Sequence, residues 1–260
     1  MPLGYPDRQR LWEWLQHEAP VDHKLLWCRT VDAYAFRDAV ERDGCDPHQC
    51  EVFGEALIYL FYGRPAFRIA EDDIAIGHSY PVVLVFENEL VDKATRMFPF
   101  DSGAFAGKRY SDFMHKRMTL GNFELPVSPE APRKMVSAFF GSNFEYLRTV
   151  PRRPERNHKA EFEVEALVRM YLQGRPKADD RRQVVELQVP VRLDLSEAYW
   201  TALVYPDHFE DSKWFKSFVS KLPSRVELLP YPAYGDKIAK EYQTTLEGEV
   251  ERLHRGRGLK

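Results

Sequence analysis

The chain has 260 residues, of which 44% are hydrophobic, 30% charged and 13% aromatic, and its formal charge is −3. That balance supports a buried core and excludes both a disordered chain and a general coat for nucleic acid. No apolar run approaches the roughly 18 residues of a spanning helix, and the opening MPLGYPDRQRLWEWLQ lacks the basic-then-apolar order of a signal peptide, so a cytoplasmic protein with no membrane contact is expected.

The predicted elements open on a strand followed by a helix. KLLWCRT (24–30) is a short apolar run ending in polar residues and reads as a first strand. Thr30 can cap a helix through VDAYAFRDAVERD, with Val31, Ala35 and Ala39 on one face and Gly44 as its stop. Within VFGEALIYLFYGRPAF (52–67), the stretch from Leu57 to Tyr62 is too short and too rich in aromatic residues for a helix; Gly63 and Pro65 punctuate its end. PVVLVFE (81–87) is a continuous apolar run, the signature of a strand buried on both faces at the centre of a sheet. FPFDSGAFAGKRY (98–110) keeps neither period and is expected as an ordered loop, and ELPVSPEAP (124–132), with three prolines, as an exposed connection before a short helix near 134–140.

HKAEFEVEALVRMYLQG (158–174) spaces Ala160, Val164, Leu167, Val168 and Tyr171 as an amphipathic helix that Gly174 ends, with Glu161 and Glu163 on its wet face. In RPKADDRRQVVELQVPVRL (175–193) a charged turn leads into a strand carrying Glu186 among Val184, Val185, Leu187 and Val189. The last third alternates aromatic-rich pieces and closes with a polar helix over about 236–254. The expected fold class is α+β in a single domain over 1–260, with a core at about 24–205 and a C-terminal extension at about 206–260.

Familiar chemical signatures are absent: the chain has no Walker loop, no GxGxxG after a strand, no HExxH, no GxSxG and no paired CxxC. Cys28, Cys45 and Cys50 suit reduced thiols better than a disulfide framework, and no His or Cys pair has metal-ligand spacing, so no metal site is expected. Four polar groups stand beside predicted strands: Cys28-Arg29-Thr30, Tyr62-Gly63-Arg64, Asp101-Ser102-Gly103 and Glu186. Together they hold what glycosyl transfer from NAD⁺ requires. A guanidinium from Arg29 or Arg64 can meet a pyrophosphate, the ring of Tyr62 or Phe61 can offer nicotinamide a flat face, and Glu186 can stabilise an oxocarbenium-like centre.

Each of these residues also has a structural reading. Glu186 fits the solvent-facing member of an alternating strand, Arg29 a salt bridge, Arg64 a turn, Tyr62 core packing and Cys28 a buried filler. Two basic clusters, Arg148, Arg152, Arg153, Arg156 and Lys159 and then Arg252, Arg255, Arg257 and Lys260, read either as solvated surface or as a phosphate track.

The order LLWCRT, helix, YLFYGRPAFR, then RRQVVELQV is similar to that of the ADP-ribosyltransferase superfamily, in particular its DarT-like branch of toxins that modify nucleic acid. The likeness spans about 25–189 in widely spaced pieces. It implies a mixed, split β-sheet with helical additions, NAD as co-substrate and transfer of ADP-ribose to an acceptor such as a nucleic-acid base, in a toxin or anti-phage setting. Carried over, Thr30 matches the first-strand threonine, Arg64 the NAD-contacting arginine and Glu186 the catalytic carboxylate; Cys28 or Arg29 stands where the family has histidine. Arg29, Thr30, Tyr62 and Arg64 are thus the expected NAD contacts, and Asp101, Ser102 and Arg152 the expected substrate contacts. Two alternatives use the same residues differently: an NAD glycohydrolase with water as acceptor, and a non-catalytic binding module, an antitoxin or adaptor whose basic stretch near Arg152 docks on nucleic acid or an acidic protein partner. A nuclease is disfavoured because no acidic cluster has two-metal spacing.

Overall fold

The computed structural model describes residues 9–66, 78–173, 181–197, 199–235 and 237–259. After helix α1 (Arg10–Leu15) the chain enters β1 (Trp27–Asp32) and turns at once into α2 (Ala33–Glu41). The expected cap moves by two residues: Asp32, not Thr30, accepts the Ala35 N–H at 2.7 Å, and the strand therefore runs on through Thr30. Gly44 is not the stop either. The helix closes at Arg42, Asp43 takes φ +57°, and Gly44 already belongs to β2 (Gly44–Cys45). Buried Ala33, Phe36 and Ala39 form the helix face.

β3 (His48–Cys50) and β4 (Glu55–Tyr62) follow, then β5 (Pro81–Phe86), which is buried along its whole length as its apolar run requires. β6 (Arg96–Phe98) leads to the segment expected as a loop, and here the structure differs: Ser102–Ala106 is a short helix, α3, capped by Asp101 through the Ala104 N–H at 2.9 Å. Stacked Phe100 and Phe105 (centroids 5.5 Å apart), with Phe123 and Tyr110 edge-on to Phe100, give it a local core that periodicity could not reveal. The proline-rich connection is not exposed throughout. Leu125 is buried and bridges Met97, and Ala131 and Pro132 begin α4 (Ala131–Phe139).

α5 (Asn143–Leu147) and α6 (Phe162–Gln173) complete the central helices. Ala160 stays exposed outside α6, and Glu163, expected on the wet face, is buried and reaches Arg10 at 4.0 Å. The expected stop at Gly174 and residues 175–180 of the charged turn lie outside the described residues.

β7 (Glu186–Val189), β8 (Leu193–Asp194) and β9 (Trp200–Pro206) come next; α7 (Lys213–Val219) then links β9 to β10 (Glu227–Tyr231), and α8 (Gln243–Gly256) closes the fold. The main sheet has eight strands in the order β10-β9-β5-β1-β4-β7-β6, with β3 added on β4, while β2 and β8 form a separate ribbon. Among the described residues only β10 and β9 pair in parallel; the sheet is mixed and the class is α+β. The segment after residue 206 contributes β10 to this same sheet and, through Glu247 of α8, an ion pair to Arg64.

One pairing in the sheet is unlike the rest. β1 pairs with β5 over all six of its residues but with β4 at only two positions, Trp27↔Tyr62 and Cys28↔Phe61. Beyond that clasp β4 turns to β3 and β7, and the sheet forks between β1 and β4. Gly63 closes the clasp. Its φ of +68° suits a residue without Cβ, its N–H donates to Leu26 O at 2.7 Å, and an added Cβ would stand 2.5 Å from Leu25 Cδ1. Gly63→Ala is therefore expected to destabilise the protein by about 2–3 kcal/mol, left-handed strain and overpacking together; a urea midpoint within error of the parent would contradict this account of the turn.

Candidate functional site

Register decides which side chains can meet. Cys28, Phe61, Glu186 and Phe98 stand in one row across β1, β4, β7 and β6, and directly opposed residues project to the same side of a sheet. Thr30, two residues after Cys28, and Gln188, two after Glu186, share that side by alternation. Strands lie about 4.8 Å apart, so Cys28 and Glu186 are separated by about 10 Å at the clasp, and the fork opens from there toward Thr30.

Glu186 does not face solvent. Its exposure is 1%, and β6 and α3 cover it. Three donors hold its carboxyl group: Ser102 Oγ donates to Oε1 at 2.6 Å, Gln188 Nε2 donates to Oε1 at 2.8 Å, and the Ser102 N–H donates to Oε2 at 3.2 Å. Gln188 Nε2 also donates to Ser102 Oγ at 3.0 Å, which ties the three side chains together. Burial, and secondarily the nearby Asp101 charge, pushes the Glu186 carboxyl up to about 8; the bonds from Ser102 and Gln188 pull the other way. Asp101 is itself held by Arg181 at 2.6 Å, and its N–H donates to Arg181 O at 3.1 Å, so the start of α3 is fixed to the residues just before β7.

Two polar atoms on this side of the sheet have no hydrogen-bond partner among the described residues: Thr30 Oγ1 and Gln188 Oε1. Both are buried. Unsatisfied buried groups are uncommon, and each costs of the order of 1–3 kcal/mol unless something fills it.

The expected site residues thus divide. Glu186 and Ser102 meet in one hydrogen-bonded cluster with Gln188, Asp101 stands beside it as a charge paired with Arg181, and Thr30 is on the same side of the sheet. Tyr62 is excluded from that side: it alternates with Phe61, packs on Trp27 and Tyr146, and accepts the Leu25 N–H through its hydroxyl at 2.9 Å, so it is core and offers no free ring face. Arg29 also points away from Thr30, because β1 is regular there. It lies against Cys45, where burial lowers its pKa. Arg64 is almost completely buried beyond the clasp, with its guanidinium on Glu247 of α8 at 3.2 Å. Arg152 is exposed; it pairs with Glu155 at 3.1 Å and donates to Ser137 O at 3.1 Å, a surface role at the end of α4. The two basic clusters of the sequence nevertheless meet. Arg148 and Arg255 both lie over the Phe144 ring, at 3.9 and 5.1 Å, and share Glu251.

Gln188 escaped the sequence reading although its signal was present: in ELQV, Glu186 and Gln188 are the two polar members of one strand face. Among the described residues no group of three or more His, Cys, Asp or Glu could hold a metal ion, and no helix is long and apolar enough to cross a membrane. No family model matches the chain, and no curated protein matches it.

Proposed function

We propose that the chain transfers ADP-ribose from NAD⁺ to an acceptor, with Glu186 as its catalytic carboxylate, on a sheet of the ADP-ribosyltransferase type. The observation that carries this reading is the inversion at Glu186: a strand glutamate that would ordinarily be wet is buried and gripped by three donors, on the same side of a forked sheet as the unpartnered Thr30 hydroxyl. Placing a carboxyl group there costs stability, and sites of chemistry are where such costs are retained.

In the proposed reaction the bond from ribose C1′ to the nicotinamide nitrogen breaks and its electron pair leaves with nicotinamide. Ionised Glu186 stabilises the cationic ribose ring, and the acceptor's lone pair then forms the new bond to C1′ as its proton passes to Glu186 or solvent. Thr30 supplies a hydroxyl for the dinucleotide, and Ser102 and Gln188 fix the carboxyl group. A nucleic-acid base is the proposed acceptor, supported by the joined basic surface at Arg148 and Arg255, and a toxin or anti-phage role would follow from modifying it.

The test is incubation with NAD⁺ labelled in its adenylate half, together with DNA, RNA or cell extract. Nicotinamide release and label transfer are expected, with a loss of about 10³-fold in Glu186→Gln, and the rate should rise with pH as the carboxyl group ionises toward about 8. A folded chain that releases no nicotinamide and transfers no label overturns the proposal. Release without transfer would make water the acceptor.

A further inference from the structure

The turn between β3 and β4 reaches over to the Glu186 cluster. β4, β7 and β6 lie side by side, and Phe53, in the turn that leads into β4, extends past β7 to meet β6. Its ring stacks on Phe98, with centroids 5.9 Å apart, and the Arg96 guanidinium stands 4.7 Å from its centre. Phe98 and Arg96 are the β6 partners of Glu186 and Gln188, so they project to the cluster's side of the sheet, and Phe53 lies there with them. Tyr59 shares that side: it stands opposite Gln188 on β4, and its hydroxyl donates to Cys50 Sγ at 2.8 Å, at the base of the turn.

The cluster is closed to solvent. Glu186 is 1% exposed, and Ser102 and Gln188 are 0% exposed, so a substrate reaches the carboxyl group only when a covering element moves. The covers differ in how firmly they are held. α3 is tied down by the Asp101–Arg181 pair and by the bonds from Ser102 to Glu186, and β6 by its pairing with β7. The turn has less. Glu51, Val52 and Gly54 are exposed, Gly54 takes φ +70°, and a Cβ added there would meet no atom within 4 Å. Toward β6 it is held by the half-buried Phe53 ring and by the ion pair of Arg96 with Glu55, whose side chains are 30% and 36% exposed. Ring pairs, cation–π contacts and half-exposed ion pairs are individually weak, which leaves an open form at roughly 1–10% of molecules.

We propose that the turn at 51–54 is a gate over the Glu186 cluster, latched by Phe53 on Phe98 and Arg96, which opens to admit substrate and closes to exclude water. Cys50 and Glu55 stay paired at the base of the hairpin while Phe53 swings off β6. The gate's purpose rests on the proposed transfer of ADP-ribose: loss of nicotinamide leaves a ribose cation that water captures, and closure over the bound substrate reserves that cation for the acceptor.

Thiol labelling reads the gate without NAD⁺, because a buried group that is reached only through an opening is alkylated in proportion to the open population. In the full chain carrying Ser102→Cys, the introduced thiol should react slowly with iodoacetamide; Phe53→Ala should speed it about tenfold and Arg96→Ala several-fold. Cys28 is the internal reference. It is 0% exposed and sits at the clasp, away from the gate, so its rate should not change when the peptides are followed separately by mass spectrometry. Gln188→Cys gives the same reading where Ser102→Cys does not fold. An introduced thiol whose rate ignores Phe53→Ala, or a rise that Cys28 matches, overturns the gate. A chain whose gate responds in this way but which releases no nicotinamide from NAD⁺ refutes the transferase reading alone, so the two failures are told apart.

Discussion

As the pH rises from about 4.5 to about 8 the protein should lose stability that Glu186→Gln does not lose. In the folded chain Glu186 is pushed up to about 8 by burial and by Asp101, against an ordinary value of 4.5. A raised carboxyl pKa means that the folded state binds more protons than the unfolded state within that window. The stabilisation is complete below 4.5 and is lost as the pH passes through the folded value. Three and a half pH units correspond to at most about 5 kcal/mol. Glutamine keeps an oxygen for Ser102 Oγ and Gln188 and turns its amide toward the longest contact, the Ser102 N–H at 3.2 Å. Its stability curve is offset but lacks this slope. Urea unfolding of both proteins at several pH values isolates the group, since every other titration is common to the two. Parallel curves would mean that Glu186 is ionised in the folded chain at neutral pH.

Arg181→Met should destabilise the protein by about 3–5 kcal/mol, the penalty for leaving one member of a buried ion pair alone. The side chains of Arg181 and Asp101 are 14% and 8% exposed and 2.6 Å apart, so water cannot take over the arginine's part. Asp101→Asn in the same chain should recover much of the loss, because the orphaned charge is gone while an oxygen remains to cap Ala104. The aspartate also raises the Glu186 pKa, so Asp101→Asn alone should move the Glu186 transition to lower pH. A double-mutant cycle with a coupling energy near zero would remove the ion pair from the account of this site.

Much of the architecture was legible in the sequence because it depends on local pattern. The unbroken apolar run of β5 can only be stable with both faces covered, and α6 carries its apolar residues at helical spacing. α3 was hidden, since five residues that include Gly103 and lie between Pro99 and Gly107 give no period; only Asp101 ahead of Ser102-Gly103-Ala104 hinted at a capped turn. The capping of α2 was displaced for a related reason: Thr30 and Asp32 are both good caps, and strand pairing with β5 decided between them by keeping Thr30 extended.

For the site, the sequence by itself determined the chemistry of the parts: a carboxyl group and an amide alternating on one strand, a hydroxyl at the end of another, and an Asp-Ser pair near a glycine. Tertiary structure alone decided their surroundings. The strand alternation that sets Glu186 and Gln188 on one face is the same whether that face is wet or dry, and only the arrival of β6 and α3 makes it dry. Likewise, nothing local distinguishes Tyr62 from Phe61 or Arg29 from Thr30; pairing register sends one of each to the Glu186 side and the other away from it. The reason is physical: side-chain type is written residue by residue, whereas burial and company are properties of segments far apart in the chain that meet only on folding.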